Sequence, residues 1–280
     1  MDILIVKLLL AHFIADFALQ PDSWIVDKQA KKWRSSKLYW HILIHFVVTV
    51  AVLYVPIPVM KNGALCILEL PAGTIWLFSG IIAITHYFID VLKLYAEEKY
   101  NVRRVFLIDQ LLHLLVLIVV VFIGLHNQIF ESNGDYYQVE NLYYNGTKAI
   151  TAKKPLLLLL CITLVTVVGS KVVKLLIARW RPVVMREDDD KSIPKAGSYI
   201  GMLERLFVFA LVVVDQISAI GLLITAKSVL RFNNIKEAED RKLTEYILIG
   251  TLLSFGIAVL VGGLYLMVTN PEFWTINTKK

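Results

Sequence analysis

Seven apolar runs, each long enough to cross a lipid bilayer, fix the class of fold open to this chain. They lie at about 2–20, 37–55, 74–94, 104–125, 155–180, 199–225 and 243–268. A hydrocarbon core about 30 Å thick takes about 20 residues of α-helix. Inside it every backbone N–H and C=O must be satisfied within the protein, which leaves helices as the solution for runs of this length. Hydrophobic residues fill 57% of the 280 positions and charged ones only 19%, so little chain remains for a soluble domain. The sequence predicts an all-α, polytopic integral membrane bundle of about seven segments. The first run does not read as a cleaved signal, because it lacks a basic start, is interrupted by His12 and Asp16, and has no small-residue cleavage site after it.

Basic residues sort by loop. Lys28, Lys31, Lys32, Arg34 and Lys37 follow the first run, Lys93, Lys99, Arg103 and Arg104 the third, and Arg179, Arg181, Arg186, Lys191 and Lys195 the fifth. The second connection has only Lys61, and the fourth only Lys148, Lys153 and Lys154. Positive charge gathers on the cytoplasmic side, which places the amino terminus outside. The net charge of +6 then reads as topology, and no nucleic-acid partner is expected. Residues 126–154 become an extracytoplasmic loop, with a small hairpin expected near Ser132 to Gly146, between a four-helix bundle over 1–125 and a helical membrane region over 155–280. Cys66 and Cys161 have no metal-site spacing, and the acidic run Glu187 to Asp190 reads as a solvated loop.

The sixth connection breaks the pattern, since Lys227, Arg231, Lys236, Arg241 and Lys242 make it as basic as the cytoplasmic loops. Two readings stand. Either these groups meet something anionic outside, or residues 202–231 form a re-entrant pair of half-helices that turns near Asp215 to Gly221. Lys227, Ser228 and Arg231 are candidates for a phosphate or lipid headgroup, the more so under re-entry, which brings them to the metal's side of the membrane.

Each of the first four runs carries a polar pair at one spacing: His12 and Asp16, His41 and His45, His86 and Asp90, Asp109 and His113. An aspartate in mid-helix costs about 2.5 to 3.5 kcal/mol on insertion scales. Residues four apart lie one above the other on a helix, so each pair can aim at a single point. Five of the six histidines fall in these pairs. Their depths agree as well: at 1.5 Å per residue, His12 and Asp16 are about 12 and 6 Å from the end of the first run, and His41 and His45 about 6 and 12 Å from the start of the second. Imidazole and carboxylate together are the ligand set of zinc, manganese or iron. Eight such side chains exceed what one tetrahedral or octahedral centre uses, so one or two divalent ions are expected, two before one. Some of the eight would orient the others, and Gln20, one turn beyond Asp16, is a candidate to hold substrate or water.

The stretches "LLLAHFIADFALQPD", "WHILIHF", "THYFIDVLK" and "FLIDQLLHLL" resemble an uncharacterised bacterial multi-pass membrane family, domain of unknown function 3307. The second half, "GMLERLFVFALVVVDQISAIGLLITAKSVLRF" with "EYILIGTLLSF", resembles longer members of it. More distantly, the first half is similar to the LexA-regulated membrane-bound metal-dependent hydrolases. That similarity implies a hydrolase, although the motifs are specific for the site and not the substrate. The loop charges and the depth of the pairs set its metal site toward the cytoplasm of a bacterial inner membrane, and a phosphoester of a lipid is the leading substrate class. Asp16, Asp90 and Asp109 are then the candidate catalytic carboxylates, and any of them not holding metal is a candidate general base. A metal-ion or proton transporter uses the same residue types but needs a polar path across the bilayer, and the outer two-thirds of these helices are almost wholly apolar. The lipid bilayer is the expected surrounding; oligomeric state has no signature in the sequence.

Overall fold

The structure, a computed structural model, describes residues 2–61, 64–126, 131–132, 135–136, 150–178, 180, 196–232 and 238–270. Among these residues, regular structure is helical apart from two short antiparallel hairpins. Five helices are long and apolar enough to cross a membrane, or six if one bent pair counts as a single span. The chain is an all-α polytopic membrane protein. It divides into two compact units, 1–160 and 161–280.

In the amino-terminal unit, α1 (Asp2–Phe13) runs on as a π-helical turn over Ile14–Ala18. The helix stops before Pro21, because a residue preceding proline is biased out of the α region. Pro21, extended at φ −65° and ψ 147°, opens α2 (Asp22–Lys31), which turns 83° away from α1. After a single 3₁₀ turn, Ser35 caps α3 (Ser36–Tyr54): its Oγ accepts from the Lys37 N–H at 3.1 Å and donates to Asp27 Oδ2 at 2.6 Å. One side chain thus closes a helix end and ties α2 to α3, the kind of cap worth about 1 kcal/mol. Strands β1 (Ile57–Lys61) and β2 (Ala64–Leu68) pair antiparallel, Ile57 opposite Leu68 and Lys61 opposite Ala64. Helices α4 (Ala72–Ala96) and α5 (Val102–His126) follow, then the two-residue strands β3 (Glu131–Ser132) and β4 (Asp135–Tyr136).

The apolar core of this unit occupies one end of the bundle. Leu4 and Leu8 near the start of α1 pack with Leu53 near the end of α3, Ile75, Phe78 and Ile82 early in α4, and Leu117, Val120 and Val121 late in α5. Gly124 belongs to the same packing, since a Cβ there would lie 3.2 Å from the Phe78 ring. The outer surface is apolar too: Phe88, Leu111 and Phe122 are each more than 60% exposed, as expected of helices solvated by lipid. The buried histidines and aspartates cluster at the opposite end of the four helices, as the matched depths of the sequence pairs predict, while Lys7, Thr49 and Ser79 are buried polar residues of the apolar end.

The carboxyl-terminal unit begins within α6 (Ile150–Thr163), which passes through a second π turn, Leu164–Val168, into α7 (Gly169–Ile177). The run at 199–225 is not one helix. It is split into α8 (Ala196–Val213) and α9 (Ile217–Phe232), with α10 (Ala238–Thr269) after them. Asp215, at φ 59°, ends α8 in a Schellman turn, in which the Asp215 N–H donates to Val212 O at 3.1 Å and the Gln216 N–H to Leu211 O at 2.8 Å. An ion pair from Lys227 to Glu204, at the middle of α8, then holds α9 back alongside α8. The two form a helical hairpin. Gly262 of α10 lets that helix close on α8, because a Cβ there would come within 2.7 Å of Val212 Cγ1. Small residues at such crossings let membrane helices approach closely. Glu187 to Asp190 and the loop beyond Tyr136 lie outside the described residues.

Candidate metal centre

Eight side chains from four helices meet in the amino-terminal unit, and they are the eight that the sequence singles out. His12, His41, His45, His86, Asp90, Asp109 and His113 are each at least 95% buried, and Asp16 is nearly so. Asp16 stands at the middle. Its Oδ1 lies 2.9 Å from His45 Nε2, 3.1 Å from His41 Nε2 and 3.4 Å from His86 Nε2, and its Oδ2 lies 3.6 Å from His12 Nε2. The π turn that carries Asp16 is a local widening of the helix of the sort found at functional sites.

Three overlapping groups have ligand atoms mutually within 4.8 Å: His12, Asp16, His45 and His86; His41, His86 and Asp90; and Asp90, Asp109 and His113. Each can hold a metal ion. The donor set fits one chemically, as nitrogen and carboxylate oxygen in these numbers suit zinc, manganese or iron. The hydrogen bonding points the same way. Four imidazole nitrogens crowd one carboxylate, His41 Nε2 and His86 Nε2 face each other at 3.2 Å, and the Nδ1 atoms of His41, His45 and His86 are buried with no hydrogen-bond partner. Both ring nitrogens of His113 and the Oδ1 of Asp109 are buried with no hydrogen-bond partner. Orphaned buried groups of this kind call for a partner such as an ion.

Two lysines that the sequence reading left in the basic loops belong to this centre. Lys28 of α2 is buried, with its Nζ 2.8 Å from Asp90 Oδ2, and Lys93 of α4 places its Nζ 2.8 Å from Asp109 Oδ2. Each ammonium neutralises one carboxylate, leaving Asp16 to the histidines. Gln110 Nε2 donates to Asp109 Oδ2 at 3.0 Å and reaches toward Asp16 Oδ2 at 3.5 Å. Gln20, its amide turned to suit its neighbours, donates to the Asp16 backbone carbonyl at 3.2 Å and accepts from Lys28. It therefore links α2 to the Asp16 turn.

Residues 4–139 match the family described as protein of unknown function DUF3307. The amino-terminal bundle is a DUF3307 domain. The match takes in all eight histidines and aspartates, from His12 to His113, together with Lys28, Lys93, Gln20 and Gln110. No curated protein and no solved structure matches the chain.

The three carboxyl-terminal candidates lie outside the DUF3307 domain, in the other unit. Lys227 pairs with Glu204, and Ser228 Oγ donates to Ile224 O at 2.9 Å. The backbone of Arg231 is helical, and its side chain is not among the described residues. The α8 side chain most committed to polar contacts is Arg205, 3% exposed and bonded to both α6–α7 and α10. Its place inside an apolar run is the signal that marks it in sequence.

Proposed function

We propose that the DUF3307 domain is a membrane-embedded, metal-dependent hydrolase that holds one or two divalent ions and acts at the cytoplasmic leaflet on a phosphoester of a lipid or a similar membrane-associated substrate. The observation that carries the reading is the convergence of four imidazoles on Asp16, beside two further carboxylates, in a buried cluster at one end of a bundle. A divalent ion in such a site supplies Lewis acidity, polarising an ester oxygen and acidifying water. The chain's own residues divide the remaining work. Histidines 12, 41, 45, 86 and 113 supply neutral nitrogen donors, and the aspartates hold charge and position. Asp109, held by Lys93 and Gln110 with one oxygen unpartnered, is the best placed of the three to accept a proton from water. Lys28 and Gln20 bring α2 against the site, so a substrate headgroup arriving along that helix meets an ammonium and an amide first. In this reading Lys227, Ser228 and Arg231 serve an anionic headgroup on the carboxyl-terminal unit.

The positive-inside pattern of the basic loops supports an amino terminus outside and a site toward the cytoplasm, in the bacterial inner membrane that this reading takes as the protein's place. The apolar core that fills the other end of the bundle supports a site reached from one face over a path leading through it. Elemental analysis of purified protein, wild type against His45→Ala and Asp90→Asn, tests the centre, and turnover on a panel of lipid phosphates tests the activity. Stoichiometric metal that falls in both variants, with turnover falling alongside, is the expected result. No metal in the wild type overturns the reading. Metal with ion flux in liposomes and no turnover replaces the hydrolase by a transporter.

A further inference from the structure

The carboxyl-terminal unit holds a cavity of about 320 Å³ that the metal chemistry does not use. Its polar lining includes Ser170, Lys174, Glu204, Arg205, Lys227 and Tyr246. Three cations thus face one carboxylate, and that carboxylate is taken by Lys227. Lys174, exposed on α7, has no ion pair among the described residues. Arg205 is buried without a carboxylate of its own, its nearest partners being neutral. Nε and one Nη2 hydrogen go to the carbonyls of Val165 and Thr166 in the π turn, while Nη1 and Nη2 reach the hydroxyls of Ser254 and Ser170. Two glycines leave room around the guanidinium, since a Cβ would fall 3.1 Å from Nε at Gly169 and 3.4 Å from Nη1 at Gly201. Gly201 lines the cavity, so the space beside Nη1 opens into it.

The level of the cavity matters. Its walls are the end of α7, the first half of α8, the far part of α9 and the start of α10, the helix ends that adjoin the basic connections at 178–195 and 233–242. Helix ends next to basic connections are where a membrane bundle meets lipid headgroups, and Val173, Ile177, Ile200 and Ile247 give the same cavity an apolar wall. A buried cation with a spare donor, a second cation beside it and an apolar wall are complementary to a phosphate that carries acyl chains. We propose that this cavity is a binding site for a phosphate-type anion, with Arg205 and Lys174 as its charge partners. The site rests on the carboxyl-terminal unit alone and does not depend on the hydrolase reading.

The test uses the full chain in a phosphatidylcholine-containing detergent background. Phosphatidic acid, phosphatidylglycerol and inorganic phosphate are titrated separately, with thermal midpoint and native mass spectrometry as readouts. One retained anionic lipid per chain and a raised midpoint are expected, with about tenfold weaker binding in Lys174→Gln, the size of one charge-assisted hydrogen bond. Gly201→Leu, which blocks the space without changing charge, is expected to lose the lipid, and Lys99→Gln in the other unit to keep it. Binding of inorganic phosphate with no preference for the lipids keeps the site and names a free anion as its ligand. If phosphatidylcholine alone gives the same shift, or Lys174→Gln and Gly201→Leu bind as the wild type does, the proposal fails. The same titration on Asp16→Asn, stripped of metal, separates the two readings: retained lipid with lost metal upholds this site whatever the fate of the hydrolase.

Discussion

The Nζ of Lys28, on a helix bent 83° from α1, lies 2.8 Å from Oδ2 of Asp90, and both side chains are less than 10% exposed. The ammonium occupies a carboxylate that two of the three ligand groups share. Breaking a buried pair by removing one partner costs about 3–5 kcal/mol when the remaining charge is left alone. A divalent ion on Asp90 would remove that penalty. Lys28→Met is therefore expected to lower the thermal midpoint of metal-stripped protein far more than that of metal-loaded protein, and to tighten the binding of a second ion. Calorimetry of both forms decides it, and equal destabilisation of the two would count against metal on Asp90.

Asp16 belongs to the group with the most histidines, whereas His113 belongs to the group that Lys93 already crowds. Asp16→Asn is expected to weaken the first ion by more than about 100-fold, and His113→Ala by about 10- to 100-fold or less, the range typical of supporting residues. Competition with a chromophoric chelator measures both. The reverse order would move the principal ion to the Asp109 end.

Gly262 faces Val212 so closely that a single added methyl meets Cγ1 at 2.7 Å and Cβ at 2.9 Å. Gly262→Ala is expected to cost about 1–3 kcal/mol through overpacking. Val212→Ala in the same chain should recover most of that loss, because it removes the atoms that clash. Thermal unfolding of the two single variants and the double variant in detergent checks the coupling.

The ion pair between Glu204 and Lys227 turns α8 and α9 into a hairpin about Asp215. In a background without Cys66 and Cys161, cysteines placed at Ser198 and Lys242 are expected to react with an impermeant thiol reagent from the same side of the membrane. Labelling from opposite sides would mean that one of the two helices crosses alone.

The histidines and aspartates were legible because a spacing of four on a helix survives any detail of packing, and four copies at one depth leave one arrangement that satisfies them all. Lys28 and Lys93 were not legible as site residues. A lysine at the end of an apolar run has the same sequence appearance whether it snorkels to the interface or folds back into the bundle, and only the sharp bend at Pro21 turns Lys28 inward. The π turns at Ile14–Ala18 and Leu164–Val168 have no sequence mark either, since their residues are ordinary for a membrane helix. The hairpin between β1 and β2 had its signal in Asn62-Gly63, the pair favoured in two-residue turns, which joins the paired residues Lys61 and Ala64. The division of 199–225 was foreshadowed by Asp215 and Gln216, polar residues in an apolar run, but that α9 folds back along α8 needed the contact between Glu204 and Lys227.

His86 is counted in two of the ligand groups and Asp90 in two, so the three groups form a row joined by common members. With one ligand atom per residue, an ion seated in the first group takes the ring that the second requires, and an ion in the second takes the carboxylate that the third requires. The first two seats then exclude each other over His86, and the second and third do so unless Asp90 were to serve both with its two oxygens, so the outer pair, centred on Asp16 and on Asp109, is the combination that fills without a dispute over ownership.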